Sequence, residues 1–245
     1  MAVLILTDIH ANLSALEAVL DAAGAVDEIW CLGDTVGYGP QPNQCMEHMR
    51  KRDAVMLVGN HDLGCLGTVD LSDFNHEARV ANEWNGRQLT PENREHLMSL
   101  EPMRRLDDLV TLAHGSPRDP IWEYLVYPDT ASLSLEHFDT QLCFVGHTHQ
   151  PVIFTAREGQ DAQCERMVPN DRTVLKLKPG YRYIINPGGV GQPRDRDARA
   201  AWALFDRTAR TITFRRTPYN IKRTQTLMHE AGLPEVLATR LSFGV

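Results

Sequence analysis

The sequence is poor in the residues that would mark a stapled or membrane-bound protein. Its five cysteines (Cys31, Cys45, Cys65, Cys143 and Cys164) are odd in number and form no C-x-x-C pair. That argues against a disulfide framework and against a thiolate zinc site. No stretch reaches the roughly 18 apolar residues of a membrane span. The opening MAVLILTD has neither a basic n-region nor a small-residue cleavage site, so a cytoplasmic protein without membrane attachment is expected. An excess of base is missing as well: 25 Lys and Arg against 32 Asp and Glu leave a net charge of −7. Coating a nucleic acid needs a basic face, so an extended nucleic-acid surface is excluded. A small phosphorylated substrate is not, because a bound cation reverses the sign of the field inside a cleft. Internal repeats and low-complexity tracts are absent too.

What is present is one pattern used repeatedly. Apolar runs VLILTD (3–8), EIWCLGD (28–34), AVMLVGN (54–60), LVTLAHG (109–115) and QLCFVGH (141–147) each end in glycine or a polar residue and read as buried strands. Helical patterns separate the first three. Leu13, Leu16, Val19 and Leu20 form one apolar face behind Asn12 as N-cap, and 42–52 reads as a second helix. A β-α-β-α-β opening implies right-handed parallel crossovers, with the carboxyl ends of the strands along one edge, where ligands bind in open α/β sheets. Residues 73–100 look like a helical insert of two helices, the second capped by Thr90 with Pro91 at its first position. After residue 150, PVIFTAR, TVLKLK, YRYIIN, AAWALFD and TITFRRT suggest a second, antiparallel sheet built from hairpins, and two helices close the chain. The expected fold class is α/β: a four-layer α-β-β-α sandwich of two mixed sheets flanked by helices, forming one domain over residues 1–245.

The stretch FVGHTHQP (144–151) carries His147 and His149 one residue apart. With ten histidines in 245 residues a chance His-x-His is close to an even bet, so the tripeptide alone is weak. Its setting says more. In an extended chain alternate residues point the same way, which lets both rings converge on one point off the strand end.

The first polar residues past the other strands have the same character. They are Asp8 and His10, then Asp34, then Asn60 with His61 and Asp62, then His114. For Asp34 or Asn60 taken singly, a cap or turn role is the plainer reading. Five strand ends in register are not so easily dismissed: if the strands are neighbours in one sheet, the groups meet at one edge and make a metal site. Two carboxylates, an amide oxygen and four imidazoles exceed what one tetrahedral ion accepts. Two divalent ions roughly 3.5 to 4 Å apart, bridged by the central Asp34, use them all. The mixture of oxygen and imidazole suits Mn²⁺, placed first, or Fe or Zn²⁺.

D-x-H (Asp8, His10), G-D (Gly33, Asp34), G-N-H-D (Gly59 to Asp62), H-G (His114, Gly115) and G-H-T-H (Gly146 to His149) stand in an order and spacing that resemble the calcineurin-like metallophosphoesterases. The loop NPGGVGQPRD (186–195) looks like one of the compact bacterial members, which cut phosphodiesters or dinucleoside polyphosphates such as diadenosine tetraphosphate. The resemblance implies that Asp8, His10, Asp34 and His149 hold a first metal, and Asp34, Asn60, His114 and His147 a second. It implies that His61 contacts the scissile phosphate and protonates the leaving group, with Asp62 as its acidic neighbour, while the two cations activate a water as nucleophile. Many bacterial relatives have glycine after D-x-H; here Ala11, nearly as small, stands before Asn12, which is expected to reach the cleft or to serve only as a cap.

Arg118 and Arg194 follow motif loops and are candidates to fork onto a phosphate, against surface pairing with Asp119 or Asp195. Tyr38, in the glycine-flanked turn after Asp34, is a candidate substrate-stacking ring. Phosphoprotein or other phosphomonoester hydrolysis is the alternative activity. A non-catalytic scaffold of the same fold is the competing class; it is expected to lose the proton donor or the ligands, which this chain keeps. The oligomeric state is not legible.

Overall fold

The computed structural model describes residues 1–159 and 162–245. In chain order the elements are β1 (Ala2–Leu6), α1 (Leu13–Ala23), β2 (Glu28–Cys31), α2 (Pro42–Arg50), β3 (Val55–Met56), α3 (Asn60–Leu66), α4 (His76–Gln88), α5 (Pro91–Met98), β4 (Met103–Arg105) and β5 (Val110–Ala113). There follow α6 (Pro128–Ser134), β6 (Leu142–Phe144), β7 (Val152–Arg157), β8 (Glu165–Met167), β9 (Val174–Lys176), β10 (Tyr181–Asn186), β11 (Ala200–Asp206), β12 (Thr211–Thr217), α7 (Ile221–Glu230) and α8 (Glu235–Arg240). No helix among them is long and apolar enough to cross a membrane.

The strands form two six-stranded mixed sheets, ordered β3-β2-β1-β11-β12-β9 and β4-β5-β6-β10-β7-β8. The α/β sandwich is as expected, but the division of strands differs. The five opening strands do not lie in one sheet, and the later strands do not form a sheet of their own. β1, β2 and β3 pair in parallel in the first sheet, β5 and β6 in the second. Of the later strands, β11 adds antiparallel to β1, and β10 adds parallel to β6. The reason is burial. AAWALFD and the inner half of YRYIIN are apolar on both faces and almost wholly buried, so they lie beside the central strands, while β11 still forms the expected hairpin with β12.

Side-chain alternation makes the layers. Val3 and Ile5 of β1 point between the sheets with Trp30, Leu112, Phe144, Ile185 and Phe205. Leu4 and Leu6 point outward against Leu16 and Val19 of α1 and Met46 and Met49 of α2. On the far side, Cys143, Phe154 and Ile184 pack under Ala131 of α6. Asn12 caps α1 by accepting from the Ala15 amide at 3.2 Å, and Thr90 caps α5 from Asn93 at 3.3 Å. The segment 73–100 is helical as expected: α4 and α5 lie against α3, and Arg94 of α5 donates to the carbonyls of Leu66 and Gly86 at 3.1 and 2.8 Å.

Candidate metal centre

Just past the strand ends the chain turns sharply, and most of the donors sit in those turns. Among the described residues, seven of the eleven non-glycine residues with left-handed backbone are here: Asp8, His10, Ala11, Asp34, Tyr38, His147 and His149, with φ from 49° to 64°. Each such residue costs on the order of 1 kcal/mol. The cost is tolerated where surrounding bonds over-determine the turn, as the amides of Asp8, His10 and Ala11 do by donating to the carbonyls of Gly33, Asp34 and Thr35. Extended-strand alternation therefore does not govern His147 and His149. They lie in a turn in which the Thr148 amide donates to Gly146 O at 2.7 Å, and the two rings part to different groups of donors.

Those groups are Asp8, His10, Asp34 and His149, and Asp34, His114 and His147. Within each, the donor atoms lie within 4.8 Å of one another, and Asp34 belongs to both. Asn60 joins the second, its Oδ1 3.1 Å from His114 Nε2. The first sheet supplies Asp8, His10, Asp34 and Asn60; the second supplies His114, His147 and His149.

Backbone carbonyls fix the imidazole tautomers. Nδ1 of His10, His114 and His149 faces the carbonyl oxygens of Val36, Leu32 and Gln192 at 3.2, 2.9 and 2.6 Å. A carbonyl only accepts, so Nδ1 carries the hydrogen and Nε2 offers a lone pair inward. His147 is reversed: Nε2 faces Trp122 O at 3.2 Å and Nδ1 is left for the centre.

The carboxylates are split in the same way. Asp8 Oδ2 accepts from Thr7 Oγ1 at 2.8 Å and from the His147 amide at 3.1 Å, and Asp34 Oδ1 accepts from the His61 amide at 2.9 Å. Their partners Asp8 Oδ1 and Asp34 Oδ2 are buried with no hydrogen bond. They lie instead 3.3 Å from His149 Nε2 and 3.5 Å from His114 Nε2. Orphaned carboxylate oxygens facing imidazole lone pairs are costly without a cation and suited to one, so the residues fit a metal.

Electrostatics agree. Burial pushes Asp8 up to about 7, helped by the neighbouring Asp34 and opposed by His114 and Thr7. Burial, then the Asp62 charge, raises Asp34 well above the carboxylate range. Burial likewise holds His10, His147 and His149 far below the imidazole range. Neutral rings and reluctant carboxylates are what a fixed cavity looks like when its charge is meant to come from an ion.

His61 lies in the first turn of α3 beside this cluster and is held by burial at about 3. Asp62 is pushed up to about 6 by burial. Its two oxygens accept from the amides of Val36 and Gly59, each at 2.9 Å, tying the Asp34 turn to the start of α3.

The substrate candidates fare differently. Arg194 lies with its guanidinium 5.8 Å from the centre of the Tyr38 ring and donates to Gln192 Oε1 at 3.0 Å. Its positive charge lowers the pKa of both Asp8 and Asp34. The adjacent Asp195 pairs with Arg216 instead. Arg118 forms an ion pair with Glu123 rather than Asp119. The Asn12 carboxamide, besides capping α1, accepts from Thr224 Oγ1 and donates to Gly191 O, both at 2.9 Å.

Several residues at the site were not singled out from sequence. Asn82 of α4 places Oδ1 2.9 Å from His61 Nδ1. Asn85, one turn on, accepts from the Gly37 amide at 3.2 Å and donates to Gly39 O at 3.1 Å. Tyr124 stacks on His147 with ring centres 4.0 Å apart while remaining 50% exposed. Phe74 bridges His61 and Trp122 at 4.9 and 5.4 Å. The available signal was two asparagines on the helix face that also carries the buried Ala78 and Ala81.

Comparison with known proteins gives consistent matches. A family model described as calcineurin-like phosphoesterase superfamily domain matches residues 1–209. An uncharacterized protein of Methanocaldococcus jannaschii is 37% identical over 247 residues, spanning 98% of this chain and 97% of its own. The crystal structure of a metallophosphoesterase from Sphaerobacter thermophilus superposes with a TM-score of 0.89 at 49% identity, covering 100% of both chains. A symmetrical bis(5'-nucleosyl)-tetraphosphatase of Actinobacillus pleuropneumoniae is 34% identical over 74 residues, 28% of this chain and 27% of that protein.

Proposed function

From the premise that the chain belongs to the calcineurin-like phosphoesterase superfamily, and is thus a phosphoester-hydrolysing enzyme, we propose that it is a dinuclear phosphodiesterase or nucleotide hydrolase. The observation that carries this is the sharing of Asp34 between two donor groups, with one of its oxygens and one of Asp8 left unbonded.

Asp8, His10, Asp34 and His149 would hold one divalent cation, and Asp34, Asn60, His114 and His147 the other, with Mn²⁺ ahead of Fe or Zn²⁺. Bound there, the pair would supply Lewis-acid charge and a water activated near neutral pH. The chain's own groups do the rest. Arg194 faces the same cleft and neutralises a phosphate oxygen. Nε2 of His61, which has no protein partner among the described residues, hands a proton to the departing oxygen. The imidazole is neutral before substrate arrives, and an anionic phosphate against Nε2 favours its protonated form. Asp62 holds the Asp34 turn and the start of α3 together. Arg118, occupied by Glu123, and Asn12, occupied by α1, Thr224 and Gly191, serve the fold in this reading.

The rim of Tyr124, Trp122 and Phe74 supports a substrate with a flat aromatic part, such as a nucleoside. The short match to a dinucleoside tetraphosphatase points the same way. Residues 1–245 work as one unit in this reading, with 73–100 as its insert. The five free, buried cysteines accord with a cytoplasmic site of action.

The test is elemental analysis of protein loaded with Mn²⁺, together with turnover of bis-p-nitrophenyl phosphate, a 2′,3′-cyclic nucleotide, diadenosine tetraphosphate and a phosphopeptide. About two ions per chain and preference for the diesters or the dinucleotide are expected. Preference for the phosphopeptide would overturn the substrate assignment; absence of turnover with both ions bound would overturn the catalytic one.

A further inference from the structure

Among the described residues, His61 is the one imidazole of the site whose orientation no backbone carbonyl fixes. The ring of each histidine ligand leans on a main-chain oxygen of a strand end or loop. His61 leans instead on Asn82 Oδ1 at 2.9 Å, a side chain from the middle of α4. Asn82 is fully buried. A buried polar residue on the packed face of a helix lowers stability unless its hydrogen bonds are made, and its Nδ2 makes none. Packing alone would favour alanine or leucine at this position, so the carboxamide answers to something other than packing.

The neighbouring turn leaves room for it. Gly37 has φ +88°, and a Cβ there would fall 2.9 Å from Asn82 Oδ1, 2.9 Å from His61 Cβ and 3.2 Å from His61 Nδ1. A side chain at position 37 would crowd the seat beside Nδ1, and the acceptor that fills that seat comes from α4. Asn85, three residues on, holds that same turn by the Gly37 amide and the Gly39 carbonyl.

We infer that Asn82 is the positioning residue of His61: its carboxamide oxygen holds Nδ1 and so aims Nε2 at the oxygen leaving phosphorus. The helical segment 73–100 thereby acquires a task in the chemistry. Its helix α4 sets the proton donor through Asn82 and the adjacent turn through Asn85. This rests on the reading of His61 as the leaving-group acid. In the step concerned, a water oxygen forms its bond to phosphorus, the P–O bond to the leaving group breaks with its electron pair on that oxygen, the proton moves there from Nε2 of the imidazolium formed once the phosphate is bound, and Nδ1 keeps its hydrogen on Asn82.

The experiment compares Asn82→Ala, Asn82→Asp and His61→Ala, each loaded with Mn²⁺ and assayed on two substrates. A 2′,3′-cyclic nucleotide expels an alkoxide that needs a proton; bis-p-nitrophenyl phosphate expels a phenolate that does not. Asn82→Ala is expected to lower kcat on the cyclic nucleotide at least about tenfold with KM within about twofold, and to spare bis-p-nitrophenyl phosphate. Asn82→Asp, which keeps an acceptor oxygen at the same place, is expected to recover most of the loss. Metal content and thermal midpoint are measured alongside. Equal losses on both substrates, losses that follow metal content or midpoint, or an Asn82→Asp no better than alanine would overturn the inference while leaving His61 in its role. An unimpaired His61→Ala would remove the acid itself, and the positioning claim with it.

Discussion

His10 and His149 turn their Nε2 atoms toward each other across 3.1 Å, with ring centres 4.8 Å apart and ring planes inclined by 29°. Each has given its Nδ1 hydrogen to a main-chain oxygen, so neither Nε2 has a hydrogen to offer. Two lone pairs face one another beside the unbonded oxygen of Asp8, and only positive charge between them makes that arrangement favourable.

Metal should therefore stabilise the folded chain strongly. Mn²⁺ at about a hundred times its dissociation constant adds about 2.7 kcal/mol, which for a chain of this size raises the thermal midpoint by about 5 to 10 °C. Calorimetry with and without a chelator measures it, and a midpoint indifferent to metal would contradict the donor geometry.

Asp34 and His147 should differ in what they cost. Asp34→Asn weakens both donor groups and is expected to leave well under one ion per chain. His147→Ala damages the second group only and should leave about one. Elemental analysis after dialysis separates the two, and equal metal contents would refute the shared role of Asp34.

Acid should strip metal through the carboxylates before the histidines. Asp8 titrates near 3.8 when unfolded and is raised to about 7 in the metal-free fold. The unfolded chain therefore loses this proton first, so the Asp8 contribution to metal-free stability falls as pH rises from about 4 to about 7. A cation must displace that proton, so affinity should drop about tenfold per pH unit below 7 for each proton released. His10, His147 and His149 are held below the usual imidazole range and contribute little in that window. Titration calorimetry at pH 6, 7 and 8 in buffers of different ionisation heat reads both affinity and proton release; constant affinity would contradict the shift.

Arg194 and Arg118 should part company. Removing a charged group that bonds a phosphate costs about 1.5 to 3 kcal/mol, roughly 10- to 150-fold. Arg194→Ala is expected to lose that much kcat/KM with metal content unchanged. Arg118→Ala, whose partner is Glu123, should stay within about threefold. The reverse order would exchange their assignments.

The donors were readable from the sequence because metal chemistry restricts residue type, and the strand-end grammar put Asp8, His10, Asp34, Asn60, His114, His147 and His149 in order. Their distribution over two sheets was not readable, because local pattern reports burial but not which strand pairs with which: AAWALFD announces its hairpin with β12 but not its second neighbour, β1. The left-handed turns at His10, His147 and His149 were invisible for a related reason. Left-handed backbone is a minority conformation even for histidine, and long-range bonds impose it here. Asn82 escaped notice because asparagine in a helix ordinarily faces water; its burial depends on α3 and the Gly37 turn, both remote in sequence.

The donors of Asp8, His10, Asp34 and Asn60 belong to one sheet and those of His114, His147 and His149 to the other. Ions seated among them, as proposed, would act as rivets through the seam between the sheets. Catalysis and the cohesion of that end of the molecule would then draw on the same few bonds, and an enzyme built so could not loosen its grip on metal without also loosening itself.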